Sequence, residues 1–408
     1  MTKLLILAWG SALAFRDVTG RSLLADFPVK SLLLVNRGKR DEFAALEGDF
    51  TLEAVRWNAE AEVAARVAEL HAAEPFIGIA TFDENLMMLA ATLRAKLGIP
   101  GMLPNEANFF RNKLVMKKSL SAAGLRTPWF AECTDRAAVE NLLARYGAVV
   151  VKPVDGYGSR GVEFIRSPEQ LAAWYARCKA PAAFEAEELI EGVLYHVNAV
   201  VRSGLPALTA SAIYLPGMGN IDFSAGAPFV SAIVVEDGLR CRLEEFSDKV
   251  IATLGLRDGV THLECFVTTE GEIVFCEIAA RPGGGGIVWM IEAQYGVNYN
   301  RVVLLLEAGR SDLIAIPNES GAGVAGLIGF RSAQSAFVER AAKPDDFRDD
   351  WIRLSQIDVS EGAFKAASAH CTDFLGLLIF NSRDMDEFEQ NRLHLSKRFY
   401  DALELRAI

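Results

Sequence analysis

Residues 261–286 read THLECFVTTEGEIVFCEIAARPGGGG. The runs 262–268 and 272–278 are rich in β-branched and aromatic residues, and Thr-Glu-Gly separates them, which predicts a β-hairpin. With Glu270 and Gly271 as the two turn residues, the register sets Glu264 directly opposite Glu277. Like charges opposed across a sheet are destabilising, so two carboxylates held this way fit a divalent cation between them. Arg281 and a glycine run follow at once, where an anionic group beside that metal would be received. Without a metal, the same stretch is a solvent-facing hairpin whose acids repel weakly.

The chain around this hairpin has 408 residues, 51% of them hydrophobic, which is material for two to four domains. A net charge of -11 argues against nucleic acid or an anionic membrane surface as a partner. It does not argue against a nucleotide, whose phosphates are held by local groups. The opening MTKLLILAWGSALAF is interrupted by Trp9-Gly10 and lacks a small-residue cleavage site, so 4–8 reads as a buried strand rather than a signal peptide. No apolar run reaches the ~18 residues of a membrane span. Cys133, Cys178, Cys241, Cys265, Cys276 and Cys371 are scattered without a CxxC pair, which fits reduced structural thiols and a cytoplasmic location.

Over residues 1–103, short apolar runs at 4–8, 31–35 and 76–80 alternate with helical periodicity at 61–71 and 84–97, the latter stopped by Gly98 and Pro100. That pattern predicts a doubly wound parallel α/β domain. Its ligand crevice would lie beyond the strand ends, at Thr81-Phe82-Asp83-Glu84; alternatively Asp83 is only a helix N-cap. From 104 the pattern changes to a helix over 109–123 with Lys113, Lys117 and Lys118, strands at 127–132 and 148–152, and a helix between them at 136–146. A third region, 311–408, ends in an amphipathic helix over 384–405.

Between the strand 148–152 and a second strand at 162–166 lies PVDGYGSRG. Lys152 precedes the glycines and a β-run follows them, the reverse of a strand–loop–helix phosphate site. A hairpin lid fits better, with Gly156, Gly158 and Gly161 letting backbone N–H groups approach phosphate oxygens and Lys152 reaching the same phosphates. The plainer reading is a glycine-rich hairpin with an exposed lysine. EELIEGVLYHVNAVV at 187–201 is strand, glycine, strand: either a plain connection between lobes or one whose backbone meets an adenine edge.

Together these segments, roughly 75–310, resemble the ATP-grasp superfamily, specifically its carboxylate–amine ligases of the L-amino-acid ligase (dipeptide synthetase) kind. RNKLVMKKSLSAAGLRTPWF looks like the helix bearing the first ATP lysine, and DGYGSRGV like the lid over the triphosphate. The resemblance implies a two-lobed grasp over 104–310, with a small lobe to about 188 and a large lobe from 189. Residues 1–103 then form the preceding domain, and 311–408 an α+β region packed on the large lobe. It implies ATP as cosubstrate, with Lys113 and Lys152 on its phosphates, Ser159 at the lid tip, and Glu187, Glu188, Leu189 and Ile190 at the adenine hinge. Glu264 and Glu277 match the carboxylates for two Mg²⁺ ions, with Mn²⁺ as a substitute, and catalysis falls to Arg281, Lys152 and Ser159.

Two departures stand out. Relatives carry Glu-x-Asn where this chain has Glu277-Ile278-Ala279, so one metal position passes to water, substrate or another residue. Relatives also place an acid after the hinge glycine for the ribose, where this chain has Val193 and Leu194; His196 or Asn198 is the substitute, or His196 simply packs. His262, two residues before Glu264, is a candidate support for that carboxylate or a packing residue. Met218, Asp222, Phe223, Trp289 and Met290 are candidates for the substrate pocket, with core packing as the alternative for the apolar ones. Asp222 either meets a substrate ammonium or sits in an exposed turn. The expected substrates are a small carboxylate and an amine, amino acids by class. Biotin carboxylase-like or purine-pathway chemistry, or a non-catalytic nucleotide sensor, are the other readings. A homodimer is common among relatives, but no segment specifies its interface.

Overall fold

The computed structural model describes residues 3–219, 226–317 and 321–407. Four parallel strands open the chain: β1 (Lys3–Ala8), β2 (Ser31–Asn36), β3 (Phe50–Val55) and β4 (Phe76–Thr81), in the order β3-β2-β1-β4. β3 does not stand out in the sequence because this edge strand, FTLEAV, carries polar residues and is only partly buried. The helices Glu60–Ala73 and Met87–Leu97 cover the sheet, the second ending on Gly98 at φ +67°. Asp83 makes no capping bond; its carboxylate accepts the Trp9 N–H at 2.8 Å, so the N-cap alternative fails.

The next sheet is antiparallel: β5 (Phe130–Glu132), β6 (Val149–Pro153), β7 (Glu163–Ile165) and β8 (Phe184–Glu188), ordered β5-β8-β6-β7. The expected helix over 109–123 is shorter, Lys113–Ala122. The Asn112 side chain accepts from the Leu114 and Val115 N–H groups and sets its start. Lys113 is thereby the first helical residue.

A larger antiparallel sheet uses β9 (Gly192–Arg202), β10 (Leu205–Tyr214), β11 (Phe229–Ile233), β12 (Gly259–Thr268) and β13 (Ile273–Ala279). Strands from the C-terminal region complete it: β14 (Val324–Phe330), β16 (Ile352–Ile357) and β18 (Gly376–Ser382). The eight strands run β13-β12-β9-β10-β11-β14-β18-β16. β15 (Ala336–Arg340), β17 (Phe364–Lys365) and β19 (Glu404–Ala407) form a small separate sheet. The chain is thus an N-terminal α/β domain, a two-lobed unit and a C-terminal α+β region.

Helices Ile287–Tyr295 and Tyr299–Glu307 lie between the large sheet and the first domain, and one apolar core joins Leu4, Ile6, Met290, Leu304 and Ile379. Gly78 on β4 sits so close to the Glu307 carbonyl that a Cβ there would come within 1.8 Å of its oxygen. Arg94 adds an ion pair to Glu307 at 2.6 Å. β4 is therefore fixed against the helix ending at Glu307, which matters for Glu84 below. Among the described residues, no helix is long and apolar enough to cross a membrane.

Candidate active site

The β12–β13 hairpin places Glu264 opposite Glu277, as the register predicts, but by a different route. Val267 pairs with Ile273 and the Thr268 N–H bonds to the Glu272 carbonyl, so residues 269–271 form the loop, with Gly271 at φ +81°. That pairing alone would set Glu264 opposite Cys276. A β-bulge between Glu264 and Cys265 on the pairing skips Cys276 and restores Glu277 to its place. Cys276 lines the adjoining cavity.

Glu264 accepts the Tyr214 hydroxyl at 2.9 Å, and His262 Nε2 lies 3.5 Å from the same oxygen. Beneath it runs a buried polar chain. His262 Nδ1 is 2.8 Å from Asn198 Oδ1, Asn198 Nδ2 is 2.9 Å from His196 Nδ1, and His196 Nε2 is 2.8 Å from Ser231 Oγ. Burial, reinforced by His262, holds His196 well below the ordinary histidine range, so it stays neutral. His196 and Asn198 have no exposed surface and turn their polar atoms into this chain. Neither is on the cavity wall, so the expected ribose role for them is not met by this geometry.

Three lysines and three glutamates surround the hairpin. Lys113 Nζ is 3.0 Å from Glu277 Oε2 and donates to the Gly156 carbonyl at 2.5 Å. Lys152 on β6 pairs with Glu187 at 2.6 Å. Lys117, fully buried, pairs with Glu185 at 2.6 Å and contacts Glu187 as well. Burial works against the charges of Lys152, Glu187 and Glu277, yet their partners prevail. Glu187 holds Lys152 well above the usual lysine range, and Lys113 with Lys152 holds Glu277 down to about 2. Lys117 is the residue that sequence reasoning passed over, although its place one turn after Lys113 puts both on one helix face.

A cavity of about 360 Å³ opens between the two lobes. Lys113, Lys152, Gly156, Gly158, Ser159, Glu187, Glu188, Leu189, Ile190, Glu264 and Glu277 all lie on its wall. Val193, Leu194 and Phe266 make part of that wall apolar. Glu188 is engaged with Arg126 at 3.1 Å through both carboxylate oxygens. Over the cavity lies the glycine loop after β6, with Ser159 at φ +61°, Gly158 at +60° and Gly161 at +71°. Among the described residues the other non-glycine residue at positive φ is Ser203, in the turn between β9 and β10. Of the other expected lining residues, Trp289 and Met290 are core, and Met218 packs in the C-terminal core; Asp222 and Phe223 lie outside the described residues.

Arg281 sits apart from that wall. Its Nε pairs with Glu84, its Nη1 donates to the Pro282 carbonyl at 2.7 Å, and Arg111 contacts the other oxygen of Glu84. Burial alone would lower the Arg281 guanidinium, but Glu84 raises it, and the two arginines hold Glu84 below its usual range against its own burial. Sequence reasoning marked Glu84 only as part of a crevice; no local signal ties it to an arginine 197 positions away.

The donor set suits a cation supplied with phosphates. Glu264 and Glu277 offer hard oxygen ligands at adjoining positions. Among the described residues, no group of three or more His, Cys, Asp or Glu side chains is placed to hold a metal alone. The remaining positions are left to phosphate and water.

Residues 146–289 match the family model described as an ATP-grasp domain. The chain therefore carries an ATP-grasp domain over these residues. It is 28% identical over 273 residues to the L-arginine-specific L-amino acid ligase of Bacillus subtilis, covering 63% of each chain. It is 28% identical over 216 residues to the N5-carboxyaminoimidazole ribonucleotide synthase of Mycobacterium tuberculosis, covering 50% of this chain and 48% of that one. It therefore spans less than two thirds of the length of each of these relatives. In fold, the chain superposes on an L-amino acid ligase from Bacillus licheniformis with a TM-score of 0.78, at 18% identity, over 100% of this chain and 99% of that one. The biotin carboxylase domain of Hydrogenobacter thermophilus 2-oxoglutarate carboxylase gives 0.75 at 15% identity, covering 100% and 91%.

Proposed function

We propose that this ATP-grasp chain is an ATP-dependent carboxylate–amine ligase that joins small substrates, amino acids by class, through an acyl phosphate. The observation that carries the reading is the convergence of Glu264, Glu277, Lys113 and Lys152 on one cavity beneath the 153–161 loop. In this reading 104–310 is the grasp unit, with its small lobe ending near 188. The similarity to L-amino acid ligases favours amino acids over the other carboxylate acceptors of the superfamily.

The adenine would rest between Leu189, Ile190 and Phe266, and Lys113 and Lys152 would exchange their present carboxylate partners for phosphate oxygens. Mg²⁺ held by Glu264 and Glu277 would neutralise phosphate charge and polarise the γ-phosphoryl group. A substrate carboxylate oxygen attacks the γ-phosphorus, the bond to the β,γ-bridging oxygen breaks, and ADP leaves. The amine then attacks the acyl carbon, and phosphate and a proton depart. Arg281 stabilises charge on the transferred phosphoryl and on the tetrahedral adduct. Loop closure over Ser159 keeps water from the acyl phosphate.

The test is Mg²⁺-dependent phosphate release from ATP across pairs of proteinogenic amino acids, with mass spectrometry of the products. The reading predicts release that requires particular pairs and a new amide mass. ATP binding with no release for any pair would favour a nucleotide sensor, for which Ala279 and the aliphatic Val193 and Leu194 already argue.

A further inference from the structure

Glu84 and Asn85 follow β4 on a single helical turn of the first domain, yet each is bonded into the nucleotide side of the molecule. Glu84 bridges Arg281, just beyond β13, and Arg111, whose Nη2 donates to the Asp155 carbonyl at 2.7 Å where the lid begins. Asn85 Nδ2 donates at 2.7 Å to the hydroxyl of Tyr157, inside the lid. The Tyr157 ring in turn meets His370 of the C-terminal region edge-on at 6.1 Å. Gly158 lies so close to His370 that a Cβ would fall 2.1 Å from its Nε2. The lid is therefore seated on both flanking regions, and its seat shares a dipeptide with the anchor of Arg281.

We propose that Glu84-Asn85 is a clasp that couples lid closure to the placement of Arg281, making both residues positioning residues for phosphoryl transfer; this rests on the ligase reading above. Glu84 uses the Nε edge of Arg281 and the Pro282 carbonyl takes Nη1, so Nη2 has no hydrogen-bond partner among the described residues and is the donor left for substrate in this proposal. Asn85 directly, and Glu84 through Arg111, hold the lid at two points from the same turn. When the lid opens, the Arg111 bond to Asp155 and the Asn85 bond to Tyr157 break together. Arg111 is then freed to shift Glu84 and, with it, Arg281. The first domain thus withholds a fully placed arginine until the triphosphate is covered.

The experiment has two parts. Hydrogen exchange of residues 154–161 is followed in the full chain with Mg²⁺ and a non-hydrolysable ATP analogue, for the wild type, Asn85→Ala and Tyr157→Phe. Asn85 is exposed and Tyr157 only partly buried, so both variants should fold. The clasp predicts that nucleotide still binds by calorimetry while lid protection falls about 10-fold or more. In steady state, kcat should fall more than the KM for ATP changes. The second part measures Glu84→Gln alone and in an Arg281→Ala background. If Glu84 acts through Arg281, its substitution costs roughly 100-fold in the first case and little in the second. Lid protection that survives in both Asn85→Ala and Tyr157→Phe, or additive losses at Glu84 and Arg281, would overturn the clasp alone. Absence of nucleotide protection in the wild type would contradict the nucleotide-site reading and the clasp with it.

Discussion

Glu264 and Glu277 face each other because Cys276 is bulged out of β13 one position before Glu277. The two carboxylates are not equivalent. Glu277 is paired with Lys113, whereas Glu264 is held by the Tyr214 hydroxyl and faces His262. Glu264→Gln should therefore leave the ligand-free protein no less stable, with a gain of up to about 1 kcal/mol from relief of like-charge opposition. Glu277→Gln should destabilise it, because Lys113 loses its buried counter-charge. Both should lower Mg²⁺-dependent turnover on the order of 100-fold. Calorimetry without ligand, beside ATP turnover, checks the asymmetry.

The Glu277 carboxyl sits at about 2 against an ordinary 4.5. A depressed folded value means that the unfolded chain binds the proton first as pH falls. The stabilisation is present above about pH 4.5 and is lost as pH drops toward 2. Denaturation midpoints measured from pH 6 to 3 should fall less steeply in Glu277→Gln than in the wild type.

Glu292 titrates in the opposite sense. Burial raises its carboxyl to about 7, although the Asn298 side chain and the Val18 N–H both donate to it. The folded chain holds a proton that the unfolded chain has released, so stability falls as pH rises from about 4.5 through 7. Glu292→Gln, which keeps an acceptor for both donors, should raise the melting temperature by a few degrees at pH 8 and change it little at pH 4.5.

Lys117 is the sole cation paired with Glu185 and one of two on Glu187 among the described residues. Lys117→Met removes a buried charge shared by two carboxylates and should cost about 3–5 kcal/mol in urea denaturation. Lys118→Met, one position on but exposed, should cost less than about 1 kcal/mol.

Features written locally were legible in the sequence. The opposed glutamates, the glycine loop behind Lys152, and the link from β8 to β9 after Glu188 all sit in short segments whose pattern sets their geometry. The hairpin register was reached through the wrong turn, because a longer loop and the Cys276 bulge offset each other. What escaped is non-local. β14, β16 and β18 complete the large sheet from beyond residue 311, and Glu84 meets Arg281 only because β4 packs against the helix ending at Glu307. The buried chain from Ser231 to Glu264 escaped for a related reason. His196 and Asn198 point inward from β9 among apolar neighbours, where one strand's sequence cannot show their partners.

The most direct test of the account follows oxygen from the substrate carboxylate. With an amino-acid pair that supports turnover, the carboxylate is labelled with ¹⁸O and the released phosphate is analysed by mass spectrometry. Activation through an acyl phosphate predicts one ¹⁸O atom in each phosphate, formed with ADP and in step with amide product. Unlabelled phosphate, or label appearing in AMP, would contradict it.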